Sequence, residues 1–196
     1  MTSNVVIFSG SFNPIHIGHL AIAAYVVEFT SADECWFVVS PHNPLKPKTE
    51  LADFCHRFNM VKIASDETNL PITASDIENT LSQPSYTINT LEMLSEKYPD
   101  KQFSLLIGAD NLNGFHLWKD YPKILANYRL LVYPRFGFDN KSLYEKYRAQ
   151  KLDAPIMEIS STFIRNNIRK GHNLKAFLPP GVFEYIRKFK LYEEEL

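Results

Sequence analysis

Three observations predict a doubly wound α/β fold, with helices on both faces of a mostly parallel sheet. Apolar, strand-like runs recur at Val5–Phe8, Cys35–Val39, Ile72–Ile77, Phe103–Ile107, Arg129–Tyr133 and Ile156–Ile159. Helical periodicity lies between most of them, and such alternation favours parallel strands with covered faces. The chain is 45% hydrophobic over 196 residues, enough apolar material for a real core. This is the Rossmann-like arrangement, whose ligands bind beyond the carboxyl ends of the strands.

The first strand, Val5-Val6-Ile7-Phe8, has the length and β-branched content of a buried strand. A glycine-containing turn from Gly10 to Gly18 follows, and Leu20–Val27 is too long for another strand and rich in helix formers. Phe54, Phe58 and Val61 fall at i, i+4 and i+7, and Ile88, Leu91, Leu94 and Tyr98 share one helical face in the same way. Asp53 and Arg57 are spaced as an i, i+4 ion pair on the first of these helices. Cys35 falls in a strand and Cys55 in a helix, with neither disulfide nor zinc spacing, so both are expected to be buried thiols. Pro179-Pro180-Gly181 marks a break, after which Val182, Phe183, Ile186 and Phe189 pattern a last amphipathic helix. Glu193-Glu194-Glu195 reads as a solvated tail. With no repeat or Gly/Ser linker, a single domain over 1–196 is expected, with a helical portion from about residue 162.

A net charge of −1 excludes a generally basic nucleic-acid binder, so attraction for phosphate must come from a local cluster. No basic-then-apolar leader or membrane-length apolar run stands in the sequence, so a cytoplasmic protein without a membrane or nucleic-acid partner is expected. Assembly into a homo-oligomer stays open.

The most informative segment is Gly10-Ser11-Phe12-Asn13-Pro14-Ile15-His16-Ile17-Gly18-His19-Leu20. A strand, a glycine turn and a helix start bring free amides and a helix dipole together, which suits an anion. Its spacing matches neither the dinucleotide fingerprint nor the Gly-Lys-Ser/Thr phosphate loop. His16 and His19 are three apart and can share a face. Two imidazoles at a phosphate seat point to chemistry at phosphorus.

Three downstream stretches add to this. Ser160-Ser161-Thr162 before an apolar run is helix N-cap chemistry, yet Arg165 follows one turn in, against the dipole's preference. A bound phosphate would reconcile the two, gripped by amides and the guanidinium fork. In Leu106-Ile107-Gly108-Ala109-Asp110, Asp110 can cap a helix beginning near Asn111, bind a nucleotide, or do both. In Pro84-Ser85-Tyr86-Thr87, Ser85 or Thr87 starts a helix whose amides could seat a small carboxylate.

The first motif resembles the His-x-Gly-His signature of the nucleotidylyltransferase superfamily, in the form found in bacterial nicotinate mononucleotide adenylyltransferases. Ile159-Ser160-Ser161-Thr162-Phe163-Ile164-Arg165 is similar to that family's Ile-Ser-Ser-Thr-x-Ile-Arg motif, and Ser85-Tyr86-Thr87-Ile88-Asn89-Thr90 to its Ser-Tyr-Thr-x-x-Thr segment. The resemblance spans Val5 to Arg165 and implies adenylyl transfer from ATP to nicotinate mononucleotide. It implies catalytic roles for His16, His19 and Arg165. ATP would meet Gly10, Ser11, Phe12, His16, Gly18, His19, Lys46, Gly108, Asp110, Ser160, Ser161, Thr162 and Arg165. The mononucleotide would meet Ser11, Phe12, Asn13, Tyr86, Thr87 and Trp118, with the indole stacked on the pyridine ring. Mg²⁺ would enter on the ATP phosphates, without a protein cage.

One loop departs from the family. Asn43-Pro44-Leu45-Lys46 stands where it has Pro-Pro-His-Lys, so that histidine's role is not carried over and Lys46 alone remains a phosphate contact. The chemistry leaves other readings open: a pantetheine-phosphate adenylyltransferase, which usually has Thr where His16 stands, an enzyme for nicotinamide mononucleotide, or a non-catalytic nucleotide sensor.

Overall fold

The computed structural model describes residues 2–41 and 51–193, so His42, Lys46 and the rest of that loop lie outside the described residues. The chain runs through β1 (Ser3–Gly10), α1 (Ile17–Phe29), β2 (Glu34–Val39), α2 (Phe54–Glu67), β3 (Ile72–Ser75) and α3 (Thr87–Lys97). It continues through β4 (Lys101–Gly108), α4 (Ala109–Leu112), α5 (Tyr121–Asn127), β5 (Arg129–Tyr133), α6 (Lys141–Lys146), β6 (Gln150–Lys151), α7 (Ser161–Arg169) and α8 (Pro180–Phe189). All six strands are parallel, in the order β3-β2-β1-β4-β5-β6. The order reverses between β1 and β4, the topological switch point at which such sheets bind ligands.

Because side chains alternate along a strand, each central strand feeds two apolar layers. Val6 and Phe8 of β1, Cys35, Phe37 and Val39 of β2, and Leu131 and Tyr133 of β5 pack with Ile22, Val26, Met60, Val61, Ile164 and Ile186. Val5, Ile7, Trp36, Val38, Leu105 and Ile107 face the other way, against Ile88, Leu91 and Leu94 of α3 and Ile124 of α5. Both faces are therefore covered, as the alternation of elements predicts. None of the described helices is long and apolar enough to cross a membrane.

Four expectations are corrected. Ile156–Ile159 is not a strand: it follows Pro155 as irregular chain, and Ile156 is half exposed. The sixth strand is instead Gln150–Lys151, two polar residues paired with Leu131 and Val132. An edge strand needs only one covered side and is often short and charged, so it carries no apolar signal. Cys55 is exposed, whereas Cys35 is buried, its thiol pushed up to about 12 by desolvation. The buried face of α2 is Arg57, Met60, Val61, Ala64 and Ser65, with Phe54 and Phe58 only partly covered.

The fourth concerns Arg57, which is spent on main chain rather than held as a surface pair with Asp53. It is 1% exposed. Its Nε donates to the Ala52 carbonyl at 2.9 Å and its Nη1 to Ser11 and Ser40, each at 2.7 Å, while Nη2 reaches Pro41 at 2.8 Å. Arg57→Met would leave these carbonyls without their donor and is expected to cost about 3–5 kcal/mol. Arg57→Lys should recover less than half of that, because an ammonium lacks the planar fork. Urea unfolding of the three proteins measures this, and a loss under about 1 kcal/mol in Arg57→Met would remove the role assigned to the guanidinium.

Candidate active site

Beyond Gly10 the chain leaves the sheet and turns sharply. Phe12 has φ +43°, in the left-handed region, and its ring goes into the core against Phe37 and His19, with centroids 5.1 Å apart in each case. Phe12, expected at both substrates, can thus offer a ligand backbone only. His16 is the extended N-cap of α1, and its carbonyl accepts from the His19 amide at 2.9 Å. The His16 amide donates to Nδ1 of His19 at 3.3 Å. With Nδ1 an acceptor, neutral His19 carries its proton on Nε2. The two rings stack with centroids 3.8 Å apart.

Gly18 makes this possible. A Cβ there would stand 3.0 Å from Nδ1 of His16. His16 is 4% exposed, and among the described residues its Nδ1 has no hydrogen-bond partner. Desolvation first, and then the charge of Arg135, lowers its pKa from 6.5 to about 4. At neutral pH it is a neutral imidazole with one N–H to offer.

The second motif closes over the first. Ser160 caps α7 by accepting from the Phe163 amide at 3.1 Å. Ser161 Oγ donates to the Pro14 carbonyl at 2.9 Å, and Arg165 Nη1 to that of Asn13 at 3.0 Å. The starts of α1 and α7 thereby face one cavity of about 310 Å³, lined by Ser11, Asn13, His16, His19, Ser160–Thr162, Arg165 and Arg135. Two helix N-termini and two guanidinium groups make it a seat for polyanions. Asn13, expected at the mononucleotide, lines this cavity, with its Oδ1 accepting from the Ala52 amide and the Tyr192 hydroxyl.

Arg135 escaped the sequence reading. It lies just past the end of β5, where Nη2 donates to the Tyr133 hydroxyl at 3.0 Å and Nε stands 3.8 Å from Asp110 Oδ1. A cation two residues beyond a parallel strand is the available signal, since ligands gather at those ends. Asp110 is not an N-cap: Gly108 holds that position, and Asp110 sits in the first turn of α4. Any side chain at 108 would collide with it, a Cβ falling 2.2 Å from Asp110 Oδ1.

A second cavity of about 340 Å³ adjoins at Ser11, which lines both. Its walls include Gly10, Tyr86, Thr87, Gly108, Trp118 and Lys119, with Glu78 buried among them. α3 starts at Thr87, one of the two expected positions, and its N-cap Tyr86 makes no side-chain cap, so first-turn amides keep no intrahelical acceptor. Trp118 is half-buried and leans on Phe115 at 5.2 Å. Lys119, also absent from the sequence reading, holds its ammonium 4.5 Å from the Tyr86 ring centroid. Among the described residues no group of three His, Cys, Asp or Glu converges to hold a metal.

The buried His16 has a measurable consequence. An unfolded histidine titrates near 6.5 and folded His16 near 4, so between those values the unfolded chain binds more protons. The contribution is complete above pH 6.5 and is lost as pH falls toward 4, up to about 3 kcal/mol. His16→Asn should flatten this part of the pH dependence, measured as urea midpoints at pH 7 and pH 5; an unchanged slope would contradict a neutral, desolvated imidazole.

The chain is similar to several known proteins. The cytidylyltransferase-like family model matches residues 7–167. A probable nicotinate-nucleotide adenylyltransferase of Flavobacterium johnsoniae is 48% identical over 190 residues, 96% of this chain and 98% of that protein. One from Bacteroides thetaiotaomicron is 46% identical, over 93% of this chain and 90% of its own. The fold matches that of Plasmodium falciparum nicotinic acid mononucleotide adenylyltransferase complexed with NaAD, with a TM-score of 0.82 at 23% identity over 97% and 98% of the two chains. By motif, fold and relatedness along nearly its whole length, the chain belongs to the cytidylyltransferase-like family and, within it, to the nicotinate-nucleotide adenylyltransferases.

Proposed function

We propose that this chain transfers the adenylyl group of ATP to nicotinate mononucleotide, giving nicotinate adenine dinucleotide and pyrophosphate. The observation that carries the reading is the pair of cavities meeting at Ser11, one cationic and one holding an indole beside a helix start. Together they match the two halves of a dinucleotide: phosphates in one, a pyridine ring with its carboxylate in the other. The whole 196-residue chain acts as one nucleotidylyltransferase domain, working in the cytoplasm.

The 5′-phosphate of the mononucleotide attacks the α-phosphorus of ATP. A P–O bond forms there as the bond to the β,γ-pyrophosphate breaks, and the electron pair leaves with pyrophosphate. The attacking oxygen is already anionic, so no base or activated serine is required. Catalysis is then alignment and charge stabilisation. His19 donates from Nε2, and His16 through its one N–H, to phosphate oxygens on which charge accumulates. Arg165 steadies the leaving pyrophosphate, with Arg135 as the neighbouring cation and the Ser160–Thr162 turn offering amides. Lys46 lies outside the described residues and is assigned as a further phosphate contact by resemblance alone. Mg²⁺ carried on the ATP phosphates as part of the substrate would neutralise part of the triphosphate charge.

In the second cavity Trp118 stacks on the ring, and the amides around Tyr86 and Thr87 receive the carboxylate, helped by the Lys119 charge. An amide in that place would turn its NH₂ toward donors, which selects the acid. Pyrophosphate release from Mg-ATP tests this with nicotinate mononucleotide, nicotinamide mononucleotide and phosphopantetheine side by side. A kcat/KM preference of about 100-fold for the nicotinate form is expected. Equal use of both pyridine mononucleotides would discard the carboxylate seat, activity with phosphopantetheine alone would reassign the acceptor, and silence with all three would point to a nucleotide sensor. His19→Ala should lower kcat by more than about 100-fold with an unchanged unfolding midpoint; near-normal turnover would end its catalytic assignment.

A further inference from the structure

Glu78 lines the ring cavity, is 3% exposed, and takes no part in the mechanism above. It lies in the one-turn segment Ile77–Thr80 after β3. Oε1 accepts from the hydroxyls of Ser9 and Thr90, both at 3.1 Å, and Oε2 from those of Ser40 at 2.6 Å and Ser85 at 3.1 Å. Four donating hydroxyls around two oxygens are the pattern of a carboxylate that only accepts. None of the ion pairs among the described residues includes Glu78. A buried anion partnered by neutral hydroxyls alone is costly, and an apolar core would do without it.

The ligand proposed for this cavity supplies the missing charge. In nicotinate mononucleotide the ring nitrogen bears the ribose, so the ring is a pyridinium cation beside a carboxylate anion. The cavity repeats that pattern with a buried carboxylate, Glu78, and an exposed ammonium, Lys119. Ser9, Ser40 and Ser85 line the same cavity and donate their hydroxyl protons to Glu78, which leaves those oxygens only acceptor capacity and also favours a cation. We propose that Glu78 is the counter-charge of the pyridinium ring and makes the site selective for N-ribosylated, positively charged rings. This rests on the acceptor reading given above.

The test compares nicotinate mononucleotide with its C-riboside isostere, in which a flat, uncharged benzoate ring replaces the pyridinium, in wild-type protein and Glu78→Gln. The wild type should prefer the cationic ring by about tenfold or more in kcat/KM. Glu78→Gln should bring the ratio to within about threefold while the KM for ATP stays within about twofold, a split that loss of structure would not produce. Equal use of both rings by the wild type overturns the assignment without recourse to any variant. An unchanged ratio in Glu78→Gln overturns it as well. If the wild type turns over neither ring, the acceptor reading falls first and this assignment falls with it.

Discussion

Arg57 ties together three stretches of irregular chain at the carboxyl end of the sheet. Its guanidinium holds the carbonyl of Ser11 just past β1, those of Ser40 and Pro41 just past β2, and that of Ala52 just before α2. Parallel strands present their carboxyl ends together, but their loops are free to leave in any direction. Burial pulls the pKa of Arg57 below its ordinary value, yet the group stays useful there because one rigid fork satisfies four acceptors at once. Ser11 borders both cavities, so the same contact that completes the core of α2 also fixes the wall between the two cavities.

From that anchor the two cavities acquire opposite electrostatic characters. The loop fixed at Ser11 continues into Asn13 and Pro14, whose carbonyls receive Arg165 and Ser161, and α7 is thereby drawn against α1. Cations and helix starts then accumulate around His16 and His19. The loop fixed at Ser40 sends its hydroxyl instead to Glu78, where an anion is buried. On the proposed assignment, phosphates and a cationic ring would have separate seats in cavities that share Ser11, and a ligand bound the wrong way round would meet repulsion at both ends.

How much of this the residues disclose beforehand depends on the kind of interaction. The four central strands carry apolar runs because they are buried on both faces, and a run of that kind is local. Gln150–Lys151 is covered on one edge only, and its polar side chains conceal it, while Ile156–Ile159 has a strand's composition without a neighbour to pair with. The histidine and Ser160–Arg165 motifs are legible because a helix start is a contiguous pattern. Arg57, Glu78 and Arg135 are not, since their farthest partners lie 46, 69 and 25 residues away and become neighbours only when the sheet has formed. Arg57 illustrates the difficulty best. Its spacing from Asp53 has a sufficient local explanation, and the tertiary one prevails because burial makes unsatisfied carbonyls costlier than a lost surface pair.

The chemistry explains why so much of the site is scaffold. A phosphate attacking a phosphate needs no activated side chain, and what a protein can add is a fixed line between nucleophile, phosphorus and leaving group. Well-oriented partners gain about 7–11 kcal/mol over free ones, and a displacement near 1 Å forfeits much of it. That precision falls on buried elements: His16 packed against Gly18, Arg165 bound to the Asn13 carbonyl, and Ser11 held through Arg57. A neutral His16 fits the same logic. With the two rings stacked 3.8 Å apart, charging both would set like charges together before any ligand arrived, whereas the neutral His16 still has one N–H to donate to a phosphate. The strained turn at Phe12 and the desolvated histidine are therefore stabilised by the core beneath them, and the positioning that drives the reaction is the folding energy of β1, α1 and α7 expressed at their ends.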